Sequence, residues 1–281
     1  YAKAKRKLFH ADGLRYAVIN ADDGFGSALL GAIPPGVAPI AYRLENDPFR
    51  TRFPAQWVIG RNLQFDVSGL SMDVSTPWGS GFLQCGLLGR FNASNMLAAL
   101  ASLCVTGLPF AEALRRLAQT RTVPGRMERF DMGDGRPLAV VDFAHTPAAL
   151  EAVLRSLRAH CRGKLWCVFG AGGDRDRGKR SLMGAVAERH ADAIVLTDDN
   201  PRTEDANKIV RDICSGLKQP AAVHVEHDRA HAIGWALQHA GEHDIVLIAG
   251  KGHETVQIIG NRSVPFSDRE RVRAIAREWS R

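Results

Sequence analysis

Apolar and polar positions follow two different patterns along the chain. From Leu138 onward, apolar runs of strand length alternate with helix-length segments. Strands are predicted at Leu138 to Phe143, Leu165 to Phe169, Ala193 to Thr197, Ala221 to His224 and Asp244 to Ala249. Helices are predicted at Pro147 to His160, Lys179 to His190, Glu204 to Leu217, Asp228 to His239 and Asp268 to Trp279. Apolar strands spaced by helices imply a mostly parallel sheet covered on both faces.

Upstream the pattern is mixed. Strands are expected near Tyr16 to Ile19, Ala38 to Arg43, Trp57 to Val67 and Ser71 to Ser75. Two helices follow. Met96 to Val105 is apolar nearly all round, which predicts burial, with Asn92 and Asn95 read as its caps. Pro109 to Ala118 begins with proline and carries Arg115 and Arg116 near its end, as the helix dipole favours. Pro124-Gly125-Arg126 breaks the chain, so two α/β domains are expected, 1–125 and 126–281.

Composition narrows the class. The chain has 281 residues, 45% hydrophobic and 24% charged, enough for two globular domains. No apolar run approaches the roughly 18 residues of a membrane span, and no signal peptide is visible, so the cytoplasm is the expected compartment. Five scattered cysteines form no CxxC pair and read as reduced, mostly buried thiols. The net charge of +7 is dispersed, without the aromatic interleaving of a nucleic-acid surface. A phosphorylated or carboxylated small substrate accounts for it as well.

Candidate chemistry clusters where strands end. Asp142-Phe143-Ala144-His145 follows the first strand of the second domain, Gly170 to Arg180 the second, Thr197-Asp198-Asp199-Asn200-Pro201-Arg202 the third, and Gly250-Lys251-Gly252-His253-Glu254 the last. Four clusters at one carboxyl edge describe a ligand crevice. Pro201 stiffens the turn that carries Asn200 and Arg202, and arginine's planar fork suits a carboxylate. Glu254 is placed to accept from an ammonium, and Arg175 is the strongest anion contact in its loop.

Two familiar motifs fail here. Gly170-Ala171-Gly172-Gly173-Asp174-Arg175 has arginine where a dinucleotide fingerprint needs its third glycine. Gly173 to Arg180 fits GxxxxGK, but Arg180 stands at the Ser/Thr position of a P-loop.

Taken together, Gly89 to Asn95, Pro124 to Glu128, Val141 to Pro147, Phe169 to Arg180, Asp199 to Arg202 and Gly250 to Glu254 closely resemble the Mur ligases, in their meso-diaminopimelate-adding (MurE) type. The resemblance runs through the whole chain in order. It implies the second part of a central ATPase domain followed by a Rossmann-like C-terminal, amino-acid-binding domain. It further implies a cytoplasmic, ATP- and Mg2+-dependent ligase of peptidoglycan precursor synthesis. Such an enzyme joins meso-diaminopimelate to UDP-MurNAc-L-Ala-D-Glu through an acyl phosphate, and takes part in cell-wall biogenesis, cell shape and division. By the same resemblance, diaminopimelate falls to Arg175, Asn200, Arg202, Gly250 and Glu254. ATP falls to Asn92, Asn95, Arg126 and Asp142, and His145 and Lys5 are catalytic. Only the resemblance singles out Lys5, as a carbamoylated lysine that binds magnesium. An L-lysine-adding ligase and a non-catalytic amino-acid- or nucleotide-binding module are the competing readings. No nucleic acid or membrane partner is expected.

The family also carries a uridine-nucleotide domain and an ATP-binding P-loop ahead of the region matched here, which makes an N-terminal segment of the same enzyme an expected partner. This 281-residue polypeptide alone is therefore expected to hold diaminopimelate weakly at best and to release no phosphate from ATP. A phosphate-release assay checks this, and steady ATP-dependent turnover would refute it.

Overall fold

A computed structural model describes residues 2–44 and 55–280. The chain divides into two compact units, residues 1–121 and 122–281. The expected break at Pro124-Gly125-Arg126 falls just inside the second.

The first unit contains α1 (Ala2–Arg6), a 3-10 turn (Lys7–His10), β1 (Tyr16–Asn20), α2 (Gly24–Leu30), β2 (Ala38–Leu44), β3 (Gln56–Asp66), β4 (Gly69–Thr76), β5 (Gly79–Cys85), α3 (Arg90–Val105) and α4 (Phe110–Ala118). Its sheet runs β1-β2-β3-β4-β5. The first three strands are parallel, and the long β3-β4-β5 meander is antiparallel. Side chains alternate across this sheet. Ala17, Ile19 and Ala41 pack with Leu29 and Leu30 of α2, while Ile40, Val58, Met72 and Leu83 pack with Leu97 and Leu100 of α3.

Local chemistry explains where expectation and structure differ. Helix α3 begins at Arg90, not Met96, and its N-cap is Gly89. Asn92 and Asn95 are therefore inside the helix rather than capping it. Asn92 Nδ2 donates to the Leu88 carbonyl at 2.8 Å, and Asn95 Nδ2 donates to Asn92 Oδ1 at 3.3 Å. Helix α2 went unpredicted, although Asp23 caps it by accepting from Gly26 N at 2.6 Å. Strand β5 was also missed, because Gly79-Ser80-Gly81 masks its alternation.

The second unit contains β6 (Glu128–Asp131), β7 (Leu138–Asp142), α5 (Pro147–Arg158), β8 (Leu165–Phe169), α6 (Gly178–His190), β9 (Ala193–Leu196), α7 (Ala206–Cys214), a 3-10 turn (Pro220–Ala222), β10 (His224–Val225), α8 (Arg229–His239), β11 (Ile245–Ala249), β12 (Val256–Ile259), β13 (Arg262–Pro265) and α9 (Asp268–Trp279). Its main sheet has the order β10-β9-β8-β11-β7-β6, parallel except at the β6 edge. Strands β7, β8 and β11 are buried along their whole length, as their continuous apolar runs require. Helices α8 and α9 cover one face; α5, α6 and α7 cover the other. The strand expected at Ala221 to His224 starts only at His224 as β10, and a 3-10 turn precedes it, because Pro220 lacks a ladder donor and fixes its own φ. No helix among the described residues is long and apolar enough to cross a membrane.

One buried ion pair joins several of these elements. Arg229, the first residue of α8, donates from Nε and Nη2 to the Asp268 carboxylate at 2.7 and 2.9 Å. Nη2 also donates to the Ala249 carbonyl at 2.9 Å, and Nη1 reaches the Asp198 carbonyl at 3.4 Å. Arg229→Ala strands Asp268 in the interior and is expected to cost about 3–5 kcal/mol. Urea unfolding followed by the fluorescence of Trp166, Trp235 and Trp279 checks this, and a loss below ~1 kcal/mol would contradict it.

Candidate active site in the second unit

The sheet order β9-β8-β11-β7 sets four strand ends next to one another. The loops beyond them enclose a crevice of about 270 Å³. Each loop follows its strand without delay, which calls for residues lacking a side chain at two contacts. A Cβ on Gly170 would lie 2.0 Å from the Thr197 carbonyl oxygen. Gly250 has a φ of +119°, and a Cβ there would lie 2.4 Å from Asp199 Oδ2.

The predicted cluster residues Arg175, Asn200, Arg202, Gly250, Glu254 and His145 all line this crevice. Asn200 is buried and fully engaged. Its Nδ2 donates to Glu254 Oε2 at 3.0 Å, while its Oδ1 accepts from Lys251 Nζ and Ile258 N, both at 2.9 Å. Arg202 has a φ of +51°, a left-handed conformation that costs an L-residue about 1–2 kcal/mol. The β12-β13 hairpin holds it there. Arg202 N donates to the Ile258 carbonyl at 3.0 Å, and Gly260 N donates to the Arg202 carbonyl at 2.7 Å. Arg202 Nη1 donates to the Gly173 carbonyl at 2.8 Å, leaving the rest of its fork at the crevice. Arg175 is exposed on the loop after β8 and lines the same crevice.

Burial opposes ionisation of Glu254, but hydrogen bonds from Asn200 and Lys251 and the charges of Lys251 and Arg202 outweigh it. The carboxyl is thus held below the usual range. Two lysines of the crevice loops have roles that their local sequence does not reveal. Lys179 donates to the His145 carbonyl at 2.9 Å, and burial depresses its pKa against the pull of Asp199 and Asp176. Lys251, between two glycines, reads as a surface charge yet has no solvent exposure.

Around β7, Asp142 spends its oxygens on backbone, accepting from Met127 N at 2.8 Å and Ala144 N at 2.7 Å. Burial raises its pKa, opposed by these two bonds and by Arg126. Arg126 lies over the Phe143 ring at 4.7 Å, and that ring also meets His145 at 4.6 Å and His253 at 5.3 Å. His145 Nδ1 hydrogen-bonds to the Phe143 carbonyl at 2.8 Å.

The would-be P-loop is a structural brace. Arg180 is buried, donating to Glu204 at 3.0 Å, Asp212 at 2.8 Å and the Gly172 carbonyl at 3.1 Å. Asp205, rather than an earlier residue, caps α7, so Glu204 precedes the helix and reaches Arg180 and Asp174 N.

Lys5, Asn92 and Asn95 belong to the first unit, on α1 and α3. Among the described residues, no group of three His, Cys, Asp or Glu side chains is arranged to hold a metal ion.

Residues 1–103 match the Mur ligase middle domain, and residues 125–252 match the Mur ligase glutamate ligase domain. The chain belongs to the Mur ligase family. This Mur ligase chain is 49% identical over 270 residues to a UDP-N-acetylmuramoyl-L-alanyl-D-glutamate--2,6-diaminopimelate ligase of Coxiella burnetii, covering 96% of the chain and 54% of that protein. It is 50% identical over 272 residues to the protein of the same name from Alkalilimnicola ehrlichii, covering 97% and 53%. A solved structure with that name superposes with a TM-score of 0.78 at 36% identity, over all of this chain and 57% of the other. The chain spans about half the length of the curated relatives it matches.

The Arg180–Glu204 contact generates a pH prediction. The Arg180 hydrogen bond leads in lowering Glu204 from 4.5 to about 2. A depressed carboxyl contributes stability that is complete above its unfolded value and lost as pH falls through its folded value. The stability gap between the wild type and Glu204→Gln is therefore expected to shrink between about pH 4.5 and about 2. Thermal unfolding across that range checks it, and a gap that does not narrow in acid contradicts the assignment.

Proposed function

We propose that the chain carries the amino-acid-adding part of a ligase that joins meso-diaminopimelate to UDP-MurNAc-L-Ala-D-Glu. The observation that supports this best is the charge arrangement of the crevice. Arg175, Lys179 and Arg202 offer cations in its lining, and Glu254 and Asp199 offer anions. That combination suits a small ligand with a carboxylate at a distance from an ammonium group. Diaminopimelate has a far carboxylate that lysine lacks. Against lysine, the half-buried Arg202 fork would lose its partner and oppose an ammonium.

ATP, when bound, supplies the phosphoryl group that makes a carboxylate reactive toward an amine. The chain's own residues bind and orient. Arg126, Phe143 and His253 offer a cationic and aromatic face against which a nucleotide base can stack. With Nδ1 bonded to the Phe143 carbonyl, neutral His145 keeps its lone pair on Nε2. His145 Nε2 is then the acceptor for the proton that an attacking amine gives up. Glu254, held as a carboxylate, fixes the other ammonium of the substrate. The finer assignments of Asn92, Asn95 and Asp142 to ATP and of Lys5 to a carbamoylated magnesium ligand rest on resemblance. Asp142 acts through the backbone it anchors.

Titration calorimetry with meso-diaminopimelate and L-lysine tests the reading. The wild type is expected to prefer diaminopimelate by about 10–100-fold, the worth of one or two charge-assisted hydrogen bonds. Arg202→Lys keeps the charge but loses the fork, and is expected to bind diaminopimelate about tenfold more weakly. A preference for lysine would favour the lysine-adding alternative, and equal affinity would refute the discrimination assigned to Arg202.

A further inference from the structure

We infer that Lys251 is a positioning residue that sets the orientation of Asn200 and Glu254 for ammonium recognition in the crevice. The inference rests on the proposed amino-acid site, although its geometry stands without a ligand.

Lys251 follows Gly250, whose positive φ turns the chain inward immediately after β11. Its ammonium is entirely buried, an unusual state for lysine. Among the described residues, two oxygens meet it: Asn200 Oδ1 at 2.9 Å and Glu254 Oε2 at 3.0 Å. A lysine ammonium donates and never accepts. It therefore requires the Asn200 oxygen, not the amide nitrogen, to face it. That choice turns Asn200 Nδ2 towards Glu254, where it donates to the same Oε2. The three side chains close a ring of hydrogen bonds with Oε2 as the shared acceptor. This leaves Oε1 as the carboxylate oxygen available at the crevice.

The ring links residues far apart in sequence. Asn200 also accepts from Ile258 N of the hairpin, so its orientation is common to the β9 turn and to β12. A buried cation is a poor device for stability, because desolvation consumes much of the Coulomb attraction. It is a good device for geometry, because the alternative arrangements leave it unpaired. Lys251 thereby acts on a ligand that it does not touch.

Glu254 faces several charges besides Lys251. Arg202 lies on the β9 turn and Arg229 at the start of α8. Asp199, Arg175, Lys179 and His145 line the same crevice. Lys251 differs from all of these in being fully buried and bonded to Glu254.

The test uses the whole chain with Lys251→Met, which preserves length but removes charge and donors. Lys251→Gln can still hydrogen-bond, and serves if the methionine variant does not fold. Two readouts are taken: the 13C titration of the Glu254 carboxyl without ligand, assigned with Glu254→Gln, and calorimetric affinity for meso-diaminopimelate across pH 5–8. Both variants are expected to move the Glu254 midpoint upward. They should weaken diaminopimelate binding about tenfold at neutral pH, the scale of one charge-assisted hydrogen bond. The loss should deepen as pH falls, because the raised carboxyl then protonates. An unmoved Glu254 midpoint overturns the inference, whatever the binding result. A raised midpoint with unchanged affinity also overturns it, since the ring would then not serve recognition. If the midpoint rises but the wild type binds no diaminopimelate, the proposed substrate fails, and the charge lock on Glu254 stands for another ligand.

Discussion

Arg229 is charged at any pH that the fold survives, and it is buried. Its donors must find oxygen inside the protein, and the available oxygens lie at the ends of separate elements. Asp268 opens α9, Ala249 ends β11, and Asp198 leaves β9. Satisfying one guanidinium therefore aligns two strand ends and two helix starts. The loops of the crevice depart from those same strand ends, so their spacing follows from a polar requirement in the interior.

Arg180 and Lys251 repeat this solution closer to the crevice. Arg180 gathers the Gly172 carbonyl, Glu204 and Asp212, joining the loop after β8 to the approach of α7. Lys251 gathers Asn200 and Glu254. Each of the three cations sits in or beside a segment that carries crevice residues, and each is met by oxygens from a distant segment. The sheet itself is apolar and non-directional in its packing; the buried cations supply direction.

Much of the second unit was legible in its sequence. Continuous apolar runs marked β8 and β11, and the clusters after β7, β8, β9 and β11 converge on one crevice. The charges at Arg175, Arg202 and Glu254 were legible as crevice residues because each stands just beyond a strand end. What escaped depended on three-dimensional neighbours. Lys251 between glycines has no periodicity to betray burial. Arg180 looked like a failed phosphate loop until Glu204 and Asp212 came beside it. The β12-β13 hairpin was invisible because its strands are only four residues each and largely exposed. In the first unit, Asn92 and Asn95 have the chemistry of caps, but the apolar run behind them extends the helix past both.

The hairpin has a consequence for how such a crevice could diverge. Arg202 owes its unusual backbone to bonds with Ile258 and Gly260, which lie on an exposed, two-stranded appendage. A change in the length or twist of that appendage would re-aim the guanidinium while every crevice side chain kept its identity. The hairpin is thus a peripheral handle on where the Arg202 fork points and, through Ile258 N on Asn200 Oδ1, on the Lys251 ring as well. Lineages that differ in substrate need not differ at the residues that touch it.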